Sequence, residues 1–227
     1  MNPAEHTMKS WDGQELFYRA WIPRDGTNNA LLLFHRGHEH SGRWQKTVES
    51  LNLPDVAVFA WDARGHGLSP GERGAAKNLA DVVKDVDAFA RHVSQAHGIA
   101  LENMILLAHS LAAVSVTAWV HDYAPPIRAM ILATAAFHVK LYVPFAIPAL
   151  RLKETLFGGG YVKSYVKSKM LTHDNKQAAI YEADPLIFRQ IAVNVLLDLH
   201  DTAKRLLADA GAMHTPTSAR TTAADTR

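Results

Sequence analysis

The stretch ILLAHSLAAV, residues 105–114, decides how the whole chain is read. Ile105, Leu106 and Leu107 lead to His109 and Ser110, and a run of small apolar residues follows. That order fits a buried strand, a tight turn and a helix, with the serine hydroxyl at the sheet edge and helix N–H groups aimed at a reacting oxygen. Such a turn ordinarily has glycine on both sides, and here Ala108 and Ala112 stand there. Alanine meets the demand for small size but disfavours the positive φ that glycine adopts freely. A plainer reading of the same residues has Ser110 simply capping the following helix. The pentapeptide alone leaves both readings open.

Outward from this turn the pattern alternates. ELFYRAWIP (15–23) is strand-like and closed by proline, and ALLLFH (30–35) and VAVFAWD (56–62) are continuous apolar runs. Runs of that kind suit strands buried on both faces of a parallel sheet. A helix capped by Ser41 is expected between them. Within 75–98, Leu79, Val82, Val83, Val86, Phe89, Ala90 and Val93 recur at helical spacing before Gly98. NMILLAH (103–109) is a further buried strand, a helix follows it up to Pro125, and RAMILATA (128–135) is the next strand. Strand–helix alternation implies a mostly parallel α/β sheet with helices on both faces.

The rhythm changes after residue 137. Residues 138–190 hold prolines, FGGG (157–160) and the repeat YVKSYVKSK (161–169), and read as an inserted cap. The repeat fits either an ordinary half-exposed helix or a patch making weak contact with a membrane surface. Residues 191–213 return to the core as a helix, QIAVNVLLDLHDTAKRLLADAG beginning at 190. The tail 214–227 then offers Ser, Ala, Arg, Thr and Asp where a buried strand is due, so the last strands are expected to be lacking. Unpaired backbone there invites self-association.

Composition bounds the rest. The chain has 227 residues, 48% hydrophobic and 20% charged, which suits a packed domain of core 1–137 plus insertion. With 24 Lys+Arg against 22 Asp+Glu, the balance gives no argument for nucleic acid binding. Without cysteine there is neither a disulfide nor a thiolate metal site. No signal peptide and no apolar run of membrane-spanning length is present, so a cytoplasmic location is expected.

Two further loops carry polar residues. FHRGHEHSGRW (34–44) follows a buried strand, and a loop there can turn one backbone N–H toward a substrate while Leu111 supplies another. His35, His38 and His40 do not match helical zinc spacing, so no metal is expected, and hydrogen bonds between loops account for them better. WDARGHGLSPGERG (61–74) reads as an ordered scaffold in which Asp62 and Arg64 pair.

HRGHEHSGR (35–43), DARGHGLSPGER (62–73) and AHSLAA (108–113), in that order, resemble the α/β-hydrolase superfamily. Within it they are similar to the monoacylglycerol lipase and lysophospholipase-like serine hydrolases. Their patterns are H-G-x-G-E-H-S-G-R, D-x-x-G-H-G-x-S-x-G-x-R and G-H-S-x-G-G. The resemblance implies hydrolysis of carboxylic esters of acyl chains, without a cofactor, through an acyl-enzyme at Ser110. It implies Gly37 and Leu111 as backbone oxyanion donors, and 138–190 as the lid over the acyl pocket. Arg36 and His38 depart from the loop glycines. The family's acid and histidine follow later strands, and neither is visible after HTPT (214–217). His121 lies about 16 Å along a helix from Ser110, at about 1.5 Å per residue. His138 and His173 are the remaining substitutes as base. The competing expectation is a truncated or frame-shifted hydrolase that binds ligands or partners without turnover. SYVKSKMLTHD and ADPLIFRQIAVNVLL also resemble bacterial hydrolase domains fused to a methyltransferase, whose own residues are not found here.

Overall fold

In a computed structural model, residues 2–138, 145–164 and 166–220 are described. Cap positions 139–144, Tyr165 and tail residues 221–227 lie outside them. The strands are β1 (Ala4–Lys9), β2 (Glu15–Trp21), β3 (Ala30–Phe34), β4 (Ala57–Trp61), β5 (Met104–His109), β6 (Ala129–Ala133), β7 (Tyr161–Lys163), β8 (Gln190–Ala192) and β9 (Thr217–Arg220). The main sheet has the order β1-β2-β4-β3-β5-β6-β9, and β7 and β8 pair separately. β1 and β2 are antiparallel to their neighbours, whereas β4, β3, β5, β6 and β9 run parallel.

β3 and β4 are buried at every position, as their unbroken apolar sequences predict. On one face lie α2 (Leu79–His97), α3 (Leu111–Tyr123) and, farther along the chain, α6 (Val193–Ala208). Phe34, Phe59, Trp61, Phe89, Leu106 and Trp119 centre this layer. α3 is mostly apolar from Leu111 to Val120 because sheet and helices enclose it, and the Trp119 indole N–H there donates to Asp87 at 2.9 Å. The other face carries the short α1 (Gln45–Leu51) over Trp21, Leu31, Leu33, Val58 and Ala60. α1 does not reach across to β5 and β6, so Ile105, Leu107, Ala129, Ile131 and Ala133 stay half-buried. β5 is thus buried on one face, not two.

Several local expectations are corrected. β1 was not read from the sequence, because only Met8 of AEHTMK is buried and no alternation shows. Ser41 is not the cap of α1. A 3₁₀ turn spans Ser41–Trp44, His40 caps it, and the Ser41 hydroxyl accepts from Arg19 at 2.7 Å. The helix expected from 190 begins at Val193, since residues 190–192 are drawn into β8 by pairing with β7. The YVKSYVKSK stretch is therefore not a helix. It holds β7 and a 3₁₀ turn over Ser168–Met170.

The lack of further strands after α6 is also corrected. Residues 217–220 form β9, in parallel register with β6 from Met130↔Thr217 to Ala133↔Arg220. Ladder hydrogen bonds need backbone, not apolar side chains, and all four residues of this edge strand are exposed. The cap region adds α4 (Ala146–Phe157) and α5 (Asn175–Ala183). The end of the cap is bound to the core through Ala192 N–H to Gly74 O at 3.0 Å and Asn194 to the Ala76 and Lys77 carbonyls.

Candidate active site

β5 delivers the chain to Ser110, whose backbone sits at φ 59° and ψ −115° before α3 begins. This is neither helical nor extended, and for a residue with a Cβ it is strained. Three backbone bonds hold it. Ser110 N–H donates to Ala133 O at 3.0 Å, and its carbonyl accepts from Ala113 at 3.1 Å and Ala136 at 3.2 Å. The side chain makes no capping bond to α3, which removes the plain capping reading. Neither Ala108 nor Ala112 has positive φ, so the conformational demand falls on Ser110 itself. Both alanines are buried, so the space around the turn is what limits them.

Gly37 faces the start of α3. A Cβ on it would lie 3.7 Å from Leu111 Cδ1 and 3.8 Å from Leu111 Cβ. The two residues expected to act through their N–H groups are therefore neighbours beside Ser110. His38, in place of the next glycine, takes φ 76°. Its pKa falls to about 4, mainly through burial and then through the nearby His66 and Arg36 charges.

The remaining loop histidines hold structure. His35 Nδ1 donates to Arg36 O at 2.7 Å and Nε2 accepts from Ala63 N–H at 3.0 Å, binding the loop after β3 to the loop after β4. His66 packs on it at 5.3 Å between ring centres, and burial followed by the His35 charge depresses its pKa to about 4. His40 Nδ1 accepts from Gly42 N–H, and its Nε2 bonds Asp184 Oδ2 of the cap at 2.9 Å. Burial would raise the Asp184 pKa, but bonds from His40 and the Leu186 N–H outweigh it and hold the carboxyl below its usual range. Among the described residues, no three His, Asp or Glu side chains converge to hold a metal.

Asp62 and Arg64 do not pair. Asp62 is fully buried and accepts from Ser41 N–H at 2.5 Å and Leu68 N–H at 2.7 Å. It fills the space a Cβ on Gly67 would need, 2.1 Å from Asp62 Oδ2. Arg64 turns the other way, to Asp85 at 2.5 and 2.6 Å and to Asp12 at 3.0 Å. Asp85 also accepts from the Ser10 hydroxyl.

A cavity of about 440 Å³ opens beside the turn. Its walls include Arg36, Glu39, Trp44, His109 and Tyr181, but not Ser110 itself. Burial, then the Arg36 charge, lowers the His109 pKa to about 4 and keeps that ring neutral. The other histidines stand apart. His138 is exposed two residues past Ala136, and His173 is exposed in the cap. His121 belongs to a surface network with Asp122, Asp209 and Arg205. Asp184 and Tyr181 went unread in the sequence, since nothing local marks a cap residue that meets a distant loop.

A family model described as Hydrolase_4, serine aminopeptidase, S33, matches residues 26–226. The chain belongs to this family. It is 50% identical over 216 residues to the Escherichia coli protein YnbC, described as uncharacterised, covering 95% of this chain and 37% of that one. It is 26% identical to a monoacylglycerol lipase of Mycolicibacterium smegmatis, over 81% of this chain and 65% of that protein. It is 30% identical to the human monoglyceride lipase, over 78% and 58%. The chain thus spans between 37% and 65% of the length of these relatives. A crystal structure of the Paleococcus ferrophilus monoacylglycerol lipase superposes with TM-score 0.76 at 24% identity, covering 90% of this chain and 76% of that one. The Hydrolase_4 chain therefore has the α/β-hydrolase fold. No helix among its described residues is long and apolar enough to cross a membrane.

Proposed function

We propose that this chain forms the acyl-ester site of a monoacylglycerol lipase-like serine hydrolase, with Ser110 as nucleophile and the N–H groups of Gly37 and Leu111 as oxyanion donors. The Ser110 backbone supports this reading above all. Strain of that kind persists where the surrounding structure over-determines it, and it clusters at functional sites. In the reaction, Ser110 Oγ attacks the ester carbonyl carbon, the bond to the alcohol oxygen breaks, and the alcohol leaves with a proton. Water then attacks the acyl-Ser110 ester, releasing the carboxylic acid and restoring the hydroxyl. The relatives named as monoacylglycerol lipases support a lipid ester as substrate. So does α4, around which Phe145, Leu152, Leu156 and Phe157 are exposed, Phe145 to 83% and Phe157 to 80%. Such side chains suit contact with a lipid surface.

A second reading rests on one observation. Among the described residues no histidine or carboxylate hydrogen-bonds Ser110 Oγ, and a serine without a base is a weak nucleophile. The chain would then bind an ester or a partner without turning it over. Hydrolysis of p-nitrophenyl butyrate by the chain and by Ser110→Ala separates the two. Turnover lost in the variant supports the proposed hydrolase, and His138→Ala and His173→Ala then test for the base. Equal trace rates in both proteins refute it in favour of binding alone.

A further inference from the structure

Gly37 lies in a turn, residues 36–40, whose backbone is strained at His38, with φ 76°. Such strain persists where the surroundings over-determine it. The core holds both ends of the turn. At one end His35 Nε2 accepts from Ala63 N–H at 3.0 Å, and at the other Ser41 N–H donates to Asp62 Oδ1 at 2.5 Å. Between these anchors the turn's own backbone bond, Glu39 N–H to Arg36 O, is a long 3.3 Å. Further support comes from the cap.

The cap reaches the turn through His40, which is buried. Its Nδ1 accepts from Gly42 N–H at 3.2 Å, which assigns the proton to Nε2, and Nε2–H donates to Asp184 Oδ2 at 2.9 Å. The side chain is wedged in place. A Cβ on Gly42 would lie 2.9 Å from His40 Cε1, and one on Gly67 would lie 2.6 Å from His40 Cβ. Asp184 ends α5 and is itself fixed, because its other oxygen accepts from Leu186 N–H at 3.0 Å. Tyr181, on the last turn of α5, is buried with the Arg43 guanidinium 5.7 Å from its ring centre. His38 meets the Phe188 backbone of the same cap segment. Cap residues 181–188 thus brace a strained turn that is otherwise held only by its ends.

We propose that Asp184 is a positioning residue that acts through His40 on Gly37. With the bond made, the turn keeps Gly37 against Leu111 at the start of α3, where both N–H groups can meet one oxyanion. With the bond broken, the strain at His38 relaxes and the Gly37 N–H leaves that place. The pair of oxyanion donors is then complete only when the cap sits on the loop, so contact with the cap and chemistry at Ser110 are coupled. The effect on turnover rests on the hydrolase reading above, whereas the bracing of the turn does not.

Two measurements on the full chain test this. One is amide hydrogen exchange at Glu39 and Ser41, and the other is steady-state hydrolysis of p-nitrophenyl butyrate. Asp184→Ala is expected to speed exchange at both amides roughly tenfold. It lowers kcat roughly 10- to 100-fold and keeps KM within about twofold, the pattern of a donor lost from the transition state. Asp184→Asn, whose single oxygen replaces two acceptors, falls between Asp184→Ala and the parent in both readouts. Asp174→Ala is the control. It removes the side chain that caps the other end of α5 through the Lys176 and Gln177 N–H groups, and it leaves both readouts at parent values. Adding Asp184→Ala to His40→Ala speeds exchange no further, because the two residues act as a unit. Unchanged exchange in Asp184→Ala overturns the brace, as does equal acceleration in Asp174→Ala or an additive effect in the double variant. Faster exchange with unchanged kcat overturns the positioning of the donor. Expected exchange in every variant, with turnover no greater in the parent than in Ser110→Ala, keeps the brace and removes the hydrolase.

Discussion

Replacing Ser110 by glycine is expected to make the protein more stable, although it deletes a side chain. Ser110 holds φ 59° and ψ −115°, which only glycine adopts without strain. Such a conformation costs about 1–3 kcal/mol in a residue with a Cβ. Glycine removes that cost but adds about 0.4–1 kcal/mol through the greater freedom of the unfolded chain. Losing a half-buried methylene subtracts at most about 0.8 kcal/mol more. The hydroxyl makes no capping bond whose loss must be counted. The net gain centres on about 1 kcal/mol, or about 2–4 °C in Tm for a chain of this size. Ser110→Ala is the control, because alanine keeps the Cβ and hence the strain. Differential scanning calorimetry of the three proteins gives the order, with Ser110→Gly melting above both serine and alanine. In an unstrained strand or helix the Ala-to-Gly difference has the opposite sign, about 0.5–1 kcal/mol against glycine. A glycine variant that melts at or below the alanine variant would refute the idea of a strained turn at Ser110.

Other consequences are equally direct. His38, His66 and His109 are held at a pKa of about 4, below the unfolded value of about 6.5. The stability this represents is complete above pH 6.5 and is lost as pH falls toward 4, by up to about 1.4 kcal/mol per pH unit for each ring. The urea midpoint should drop clearly between pH 7 and pH 5, and equal midpoints would show that the rings are not buried neutral. Asp85→Ala leaves Arg64 buried beside only the partly exposed Asp12, and should cost about 3–5 kcal/mol in urea denaturation. A cost under 1 kcal/mol would mean that water replaces the pair. Leu156→Glu combined with Phe157→Glu should abolish flotation with phosphatidylglycerol vesicles and leave hydrolysis of p-nitrophenyl butyrate unchanged. Undiminished flotation would remove α4 as the lipid-facing element. His38→Gly should be about 1 kcal/mol more stable than His38→Ala, because φ is 76° there. Ala108→Gly should be less stable than the parent, and the reverse order at either site would contradict the backbone assignment.

The parts of the fold that could be read in the sequence are those whose signal is local and periodic. β3 and β4 announce themselves as apolar runs because both faces are buried, and α2 by its apolar stripe and the left-handed Gly98 that ends it. Ser110, Gly37 and Leu111 were named from three motifs in order along the chain, and the fold sets Gly37 against Leu111, next in sequence to Ser110. Partners chosen across the molecule could not be read. Asp62 and Arg64 are two residues apart and of opposite charge, yet adjacent loop side chains point to different layers, and each finds its partners elsewhere. β9 was hidden for another reason. An edge strand paired on one side needs no apolar residues, so TSAR carries no strand signal. The tie between His40 and Asp184 spans 144 positions, and no spacing rule reaches that far.

The departures from the glycine-rich family patterns fall into physically different kinds. Ala108 and Ala112 occupy ordinary backbone regions, so alanine there costs nothing in conformation and retains the small size the turn requires. His38 does need the left-handed region, so its backbone is strained, and burial further disfavours the charged form of its ring. Arg36 carries no such backbone demand. Its substitution adds a long side chain and a charge to a wall of the cavity that glycine would leave blank. A change that is neutral for folding at one glycine position and costly at another is therefore, at Arg36, chemical. The loop keeps its ties to the loop after β4 and to the cap through His35 and His40, while the cavity wall acquires a cation whose ion-pair partner is Glu39 at 3.8 Å.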